Sequence, residues 1–108
     1  YHWLQVGTCA NRARSEWQCS RVHVVAGQVD QALYHARRCH ELVQANEDDS
    51  MEIWDLPAAH EALARAHLAA GHREEAAHWA ELGRTATAQI EDDEDRAVLE
   101  ADFATIDA

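Results

Sequence analysis

The sequence predicts an all-α chain: two antiparallel helical hairpins followed by a C-terminal capping helix. Three observations carry this. An Ala-Gly phrase is written twice, as AGQVDQALYHA over Ala26–Ala36 and as AGHREEAAHWA over Ala70–Ala80, 44 residues apart. Apolar residues recur at helical spacing on both sides of each phrase's glycine. The punctuation that strands and tight hairpins need is missing, with one proline and four glycines in 108 residues, while alanine, the residue of lowest helix cost, is abundant. A chain of this length makes one domain, over residues 1–108.

Residues 1–10 read as a lead-in, in which Trp3, Leu4 and Val6 are interrupted by Gly7 and Thr8. The first hairpin spans 11–46. Its opening helix, Asn11–Ala26, carries Ala13, Trp17, Ser20 and Val24 on one side and Cys19, Val22, His23 and Ala26 beside them. Gly27 stops it as a residue suited to the left-handed region. The return helix, Val29–Ala45, turns Val29, Ala32, Leu33, Ala36, Cys39 and Val43 inward. An acidic loop, Glu47–Ser50, separates the hairpins. The second hairpin spans 55–90, with Asp55 expected as N-cap and Pro57 tolerated in the first turn. Ala59, Ala62, Leu63, Ala66 and Ala70 form its first inward face, and Gly71 ends that helix. Arg73–Ile90 returns with Ala76, Ala80, Gly83, Thr87 and Ile90 inward. The run Glu91–Asp95 reads as a helix start, since carboxylates are favoured at the positive end of the helix dipole. The capping helix follows over 92–107, with Leu99, Phe103 and Ile106 as its stripe and Glu100 and Asp102 expected to face water.

Laying Ser20–Ala36 over Ala64–Ala80 pairs Arg21 with Arg65, His23 with His67, Gly27 with Gly71, Ala32 with Ala76 and Ala36 with Ala80. A small residue five after each turn glycine lets the two helices of a hairpin approach closely. Hairpins repeated at a fixed period bury their faces on one another as a solenoid. This pattern resembles the tetratricopeptide repeat (TPR): Ser20 and Ala64 match its small helix-A position, Gly27 and Gly71 its turn, and Ala32 and Ala76 its helix-B alanine. The resemblance covers Asn11 to Ile90 and implies a right-handed TPR-like solenoid. The period is 44 against the family's usual ~34; longer B helices and the 46–54 loop account for the excess. His23 and His67 stand where the family has an aromatic residue. The wording around His2–Thr8 and Glu16–Val22 also resembles proteins of actinobacteria, a likeness that supplies no function.

The formal charge of −11, with histidine neutral, argues against nucleic acid and anionic membranes as partners, because phosphate contacts need cations. No apolar run reaches a membrane span and no signal peptide is visible, so the expected location is cytoplasmic. Cys9, Cys19 and Cys39 are odd in number and irregularly spaced, as ordinary thiols of a reducing compartment are. Cys19 with His23, and His35 with Cys39, are i,i+4 pairs at matching heights of a hairpin, which raises a Cys2His2 zinc site. The repeat opposes it: the equivalent positions hold Leu63, His67, Trp79 and Gly83, so only the histidine recurs. A recurring histidine is better explained as a core filler with one hydrogen-bond partner. No phosphate loop, nucleophile elbow or HExxH motif is present, and neither an enzyme nor a cofactor is expected.

A solenoid offers a concave face lined by its first helices. The resemblance places Arg14, Trp17, Arg21, Val24, Glu61, Arg65 and Leu68 there. Arg21 and Arg65 are equivalent, so the groove carries a basic stripe suited to an acidic peptide, with Trp17 as an apolar anchor. The competing expectation is that Arg65 pairs with Glu61 one turn earlier and Trp17 belongs to the core. The leading function is a non-catalytic protein-interaction module that binds a peptide segment or a second copy of the chain. The alternatives are a metal-binding helical protein and the C-terminal array of a larger regulator.

Overall fold

The structure is a computed structural model that describes residues 8–107. Among the described residues five helices follow one another: α1 (Cys9–Val25), α2 (Val29–Ala45), α3 (Asp55–Ala69), α4 (Arg73–Ala88) and α5 (Asp93–Asp107). No strand occurs among the described residues, and none of their helices is long and apolar enough to cross a membrane. Trp3, Leu4 and Val6 of the expected lead-in lie outside the described residues.

The lead-in ends sooner than its composition suggests, because α1 begins at Cys9 with Thr8 as its N-cap. The first amide groups of a helix have no partner in the i→i−4 ladder, and here Cys9, Ala10 and Asn11 each find an acceptor before the ladder starts at Arg12. The Cys9 N–H donates to Asp48 Oδ2 at 2.9 Å and the Ala10 N–H to Ser50 Oγ at 2.9 Å. The Asn11 N–H donates to Thr8 Oγ1 at 3.1 Å and the Arg12 N–H to the Thr8 carbonyl at 2.9 Å. The acidic loop is thus the acceptor shell of α1 rather than a solvated spacer. Hydrogen bonds from Ser50 and Cys9 hold the Asp48 carboxyl below its usual range.

The doubled phrase becomes a doubled turn. Gly27 and Gly71 have φ of +77° and +82°, where a side chain is strained. The Gly27 N–H donates to the Val24 carbonyl and the Gln28 N–H to the His23 carbonyl, at 3.1 and 2.8 Å. Gly71 and His72 repeat this on Leu68 and His67, at 3.0 and 2.8 Å. Both are Schellman caps, which satisfy the last carbonyls while reversing the chain. No glycine ends α2; Asn46 takes the left-handed conformation there instead, with φ of +41°.

Each helix packs mainly against the next one or two: α1 on α2 and α3, α2 on α3, α3 on α4 and α5, and α4 on α5. Ala32, Leu33 and Ala36 of α2 meet Ala62, Leu63 and Ala66 of α3 in the central cluster. Ala13, Cys39, Val43 and Ala59 form a second cluster at the loop end. Ala64 and Ala80 receive Phe103 and Ile106 of α5 in a third. Ala32 and Ala76 are buried as the hairpin seams require, and Ser20 bonds the Ala32 carbonyl at 2.8 Å across the first seam. Leu99, Phe103 and Ile106 are the buried stripe of α5, as its periodicity predicts.

Three details correct the sequence reading. Cys19, Val22 and Ala26 are exposed, because Ala13 and Ser20 turn the opposite side of α1 toward α2 and α3. Asp55 is not the N-cap of α3 but its first residue; Trp54 precedes it with no side-chain cap. The Asp55 carboxylate instead accepts the Glu52 N–H at 2.7 Å and leaves its other face to α1. Helix α4 ends at Ala88, two residues before the expected boundary, yet Ile90 is buried after it.

Candidate functional site

Four of the side chains expected in the groove, Arg14, Trp17, Arg21 and Arg65, converge on two carboxylates of α3, Asp55 and Glu61. Arg14 of α1 grips Asp55 with two hydrogen bonds, Nε to Oδ1 at 3.1 Å and Nη2 to Oδ2 at 2.9 Å. One turn later Trp17 donates its indole N–H to Glu61 Oε2 at 3.0 Å. Arg65 donates Nε to Glu61 Oε1 at 2.6 Å, so the expected pairing along α3 is present. Arg65 also reaches α5, where Nη2 donates to the Asp102 carbonyl at 3.1 Å and to Thr105 Oγ1 at 2.6 Å. Arg21 lies over the Trp17 ring, its Nη1 3.9 Å from Glu61 and 3.7 Å from Asp102. Glu61 is 1% exposed, a buried carboxylate with an indole and a guanidinium as hydrogen-bond donors. Such a charge is tolerated only when paired in this way.

Of these residues Arg14, Trp17, Asp55 and Asp102 also line a cavity of about 300 Å3, to which α2 contributes Cys39 and Val43. Its apolar walls come from Ala13, Trp17, Cys39, Val43, Trp54 and Leu99, and the exposed Val98 stands at its edge. Arg14, Asp55, Asp95 and Asp102 supply its polar groups. The volume is at the lower end of ordinary ligand cavities.

Five of the seven expected groove residues therefore come together: Arg14, Trp17, Arg21, Glu61 and Arg65. Val24 does not, being packed against the central α2–α3 cluster. Leu68 lines a separate depression with Arg73, Ala76 and Ile106. The basic stripe is also corrected: each of its arginines is already engaged by a carboxylate. Sequence reasoning missed the contribution of α5. Asp95, Val98 and Asp102 recur at i, i+3, i+7, a second stripe beside the apolar one, but acidic residues beside an apolar stripe read as a wet surface. Asp102 faces Arg21 instead of open solvent.

The four metal-ligand candidates are not brought together. Cys19 is exposed, whereas Cys39 sits in the core. Burial, reinforced by the Asp55, Glu16 and Glu61 carboxylates, pushes the Cys39 thiol up to about 12, away from the thiolate that binds metal. His23 and His35 stack with ring centroids 5.2 Å apart. Their Nδ1 atoms lie 2.6 Å from Gln28 Oε1 and from Glu16 Oε2 respectively. His67 makes the equivalent contact across its own turn, Nδ1 to His72 Nδ1 at 3.1 Å. Among the described residues no group of three or more His, Cys, Asp or Glu side chains is placed to hold a metal ion.

A second histidine cluster surrounds Trp79, formed by His40 of α2, His60 of α3 and His78 of α4, each ring centroid within 5.5 Å of the indole. His60 is 7% exposed and its Nδ1 has no hydrogen-bond partner. Burial, helped by His40 and His78, lowers its pKa from 6.5 to about 4. Burial also lowers that of His40. A base whose folded pKa is depressed binds its proton more readily in the unfolded chain, so stability is complete above pH 6.5 and falls as the pH drops toward 4. The His60 share of that loss is expected to be about 1 kcal/mol by about pH 5.5 and about 2–3 kcal/mol by about pH 4.5. Denaturant unfolding at both pH values, compared with His60→Leu, checks this. The variant should lose the His60 share of the acid sensitivity in that window, leaving that of His40 and His67, and an unchanged slope would assign it elsewhere.

No family model matches the chain, and no curated protein or solved structure matches it either.

Proposed function

We propose that this chain is a non-catalytic protein-interaction module, a TPR-like array of two hairpins whose α1, α3 and α5 line a concave face that holds a peptide segment. The observation that carries the reading is the cavity of about 300 Å3 beside those helices, apolar at its walls and bordered by the Arg14–Asp55 ion pair. Polar groups already held in place need no reordering when a ligand arrives, which lowers the entropic cost of binding. The recurrence of both Schellman turns and both seam alanines at the same spacing supports the TPR-like arrangement, with α5 as its capping helix.

Selection of peptides from a displayed random library, repeated on Val98→Trp, tests the groove. Val98 is exposed at the cavity edge, so a large ring there obstructs entry without disturbing the core. Peptides selected on the parent chain should lose at least tenfold in affinity on the variant; unchanged affinity would place binding elsewhere.

A second reading has its own observation. On the 44-residue register Val22 corresponds to Ala66, yet Val22 is 65% exposed where Ala66 is 0%. Cys19 and Val22 thus present on α1 the flank that Leu63 and Ala66 of α3 press onto α2, and a further helical segment or a second copy would cover it. Sedimentation of the same two proteins separates the readings: self-association indifferent to Val98→Trp supports this one, and a monomer removes the second-copy form.

A further inference from the structure

We infer that the segment held by this groove is cationic: an apolar side chain enters the cavity between α1, α3 and α5, and a flanking Lys or Arg is received by Asp95 and Asp102 of α5. This rests on the proposed peptide-binding reading and supplies the chemistry of the partner. The charges of the concave face decide it. Three arginines lie there, Arg14, Arg21 and Arg65, against four carboxylates, Asp55, Glu61, Asp95 and Asp102. Arg14 is committed to both oxygens of Asp55. Arg65 is committed to Glu61, the Asp102 carbonyl and Thr105. Arg21 rests on the Trp17 face between Glu61 and Asp102. An acidic peptide would find two of the three cations hydrogen-bonded already, and would have to compete with Glu61 and Asp102 for Arg21.

The carboxylates are less fully used. The Asp95 side chain lines the cavity, is only partly exposed, and makes no hydrogen bond or ion pair among the described residues. Only its backbone N–H is engaged, by Asp92 Oδ1 at 3.0 Å. Asp102, two turns along the same helix, has one cationic contact, at 3.7 Å, beyond hydrogen-bond range. Two under-used carboxylates thus flank Val98 and Leu99 on one stripe of α5, beside walls built of Trp17, Trp54 and Val43. An apolar residue with a cationic neighbour satisfies both surfaces at once. A guanidinium suits such carboxylates through charge-assisted hydrogen bonds. The chain's formal charge of −11 draws a basic segment in and repels an acidic one.

The test is the same random nonapeptide library, selected in parallel on the parent chain, on Asp95→Asn/Asp102→Asn, on Glu74→Gln/Glu75→Gln and on Val98→Trp. The Glu74/Glu75 pair removes equal charge from exposed positions of α4, outside the cavity, and so measures the effect of net charge alone. Parent-selected peptides should carry Lys or Arg within two positions of a Leu, Ile, Met or Phe. Their affinity should fall about fivefold or more on Asp95→Asn/Asp102→Asn and less than twofold on Glu74→Gln/Glu75→Gln. The Asn variant should still select the apolar residue while losing the basic one. Peptides that Val98→Trp abolishes but that are neutral or acidic would overturn the cationic partner and leave the groove standing. Equal losses on the two charge variants would overturn it too, by reducing the preference to overall charge. If no peptide is selected, or Val98→Trp changes nothing, the groove reading fails and this inference fails with it. Circular-dichroism melts of each variant confirm that losses in binding are not losses of fold.

Discussion

Glu61→Ala is expected to destabilise the chain by about 3–5 kcal/mol, the cost of removing one partner from a buried charge cluster. Glu61 is 1% exposed and lies at the centre of α3, with Trp17 of α1 on one oxygen and Arg65 on the other. Without it the indole N–H has no acceptor, and the Arg65 guanidinium, held against α5 by the Asp102 carbonyl, has no counter-charge. A cavity forms as well, since alanine fills little of the space. Glu61→Gln should cost less, because its carbonyl still accepts the indole N–H, but its amide meets Arg65 donor to donor. The double variant Glu61→Ala/Arg65→Ala should be less destabilised than the sum of its parts, by at least about 1 kcal/mol. Urea unfolding of the four proteins measures the cycle. A Glu61→Ala loss below about 1 kcal/mol, the range of an exposed i,i+4 pair, would mean that the cluster does not bind α1, α3 and α5 together.

Gly83→Val is expected to unseat α5 and cost at least about 3 kcal/mol, at the upper end of overpacking in a close-packed core. A Cβ at Gly83 would stand 2.1 Å from Phe103 Cζ, 2.6 Å from Phe103 Cε1 and 3.1 Å from His60 Cβ. Phe103 is 1% exposed, so its ring has nowhere to go while α5 stays docked. Glycine inside a helix ordinarily costs about 1 kcal/mol against alanine, and here the close approach of Phe103 accounts for it. Gly83→Ala separates the two effects: propensity predicts a gain, and the clash predicts a net loss of about 1–2 kcal/mol. Combining Gly83→Ala with Phe103→Leu should recover stability relative to either single change by shortening the ring that the methyl meets. Denaturant unfolding followed by far-ultraviolet circular dichroism reads Gly83→Val, Gly83→Ala, Phe103→Leu and the double variant. A Gly83→Val protein as stable as the parent would show that α5 does not rest on α4 through this contact.

The helices, their order and most of their inward stripes are local properties, and they were legible. Ala32, Leu33, Ala36, Leu63, Ala66, Leu99 and Phe103 announce burial by spacing, and Gly27 and Gly71 announce reversals because only glycine enters the left-handed region without strain. What the repeat left undecided was where polar side chains end up, since a charge has no periodicity that reveals its partner. Asp55 has the residue type and position of an N-cap, yet Arg14, 41 residues earlier, takes its carboxylate. Asp48 and Ser50 read as solvated loop, yet they complete the amino end of α1, some 40 residues away. Glu61 reads as a groove carboxylate or as the partner of Arg65 along its own helix, yet α1 and α5 enclose it. Gly83 reads as one more small seam residue, and only the position of Phe103 makes it indispensable. The sequence by itself therefore determined five helices, two glycine reversals and an apolar seam, because propensity and periodicity act within a few turns of chain. The tertiary structure alone decided that five of the expected groove residues share one face with Asp95, Val98 and Asp102, and that its arginines are already paired. Ion pairs and cavity walls are assembled across helices, from residues whose separation in sequence carries no record of their meeting.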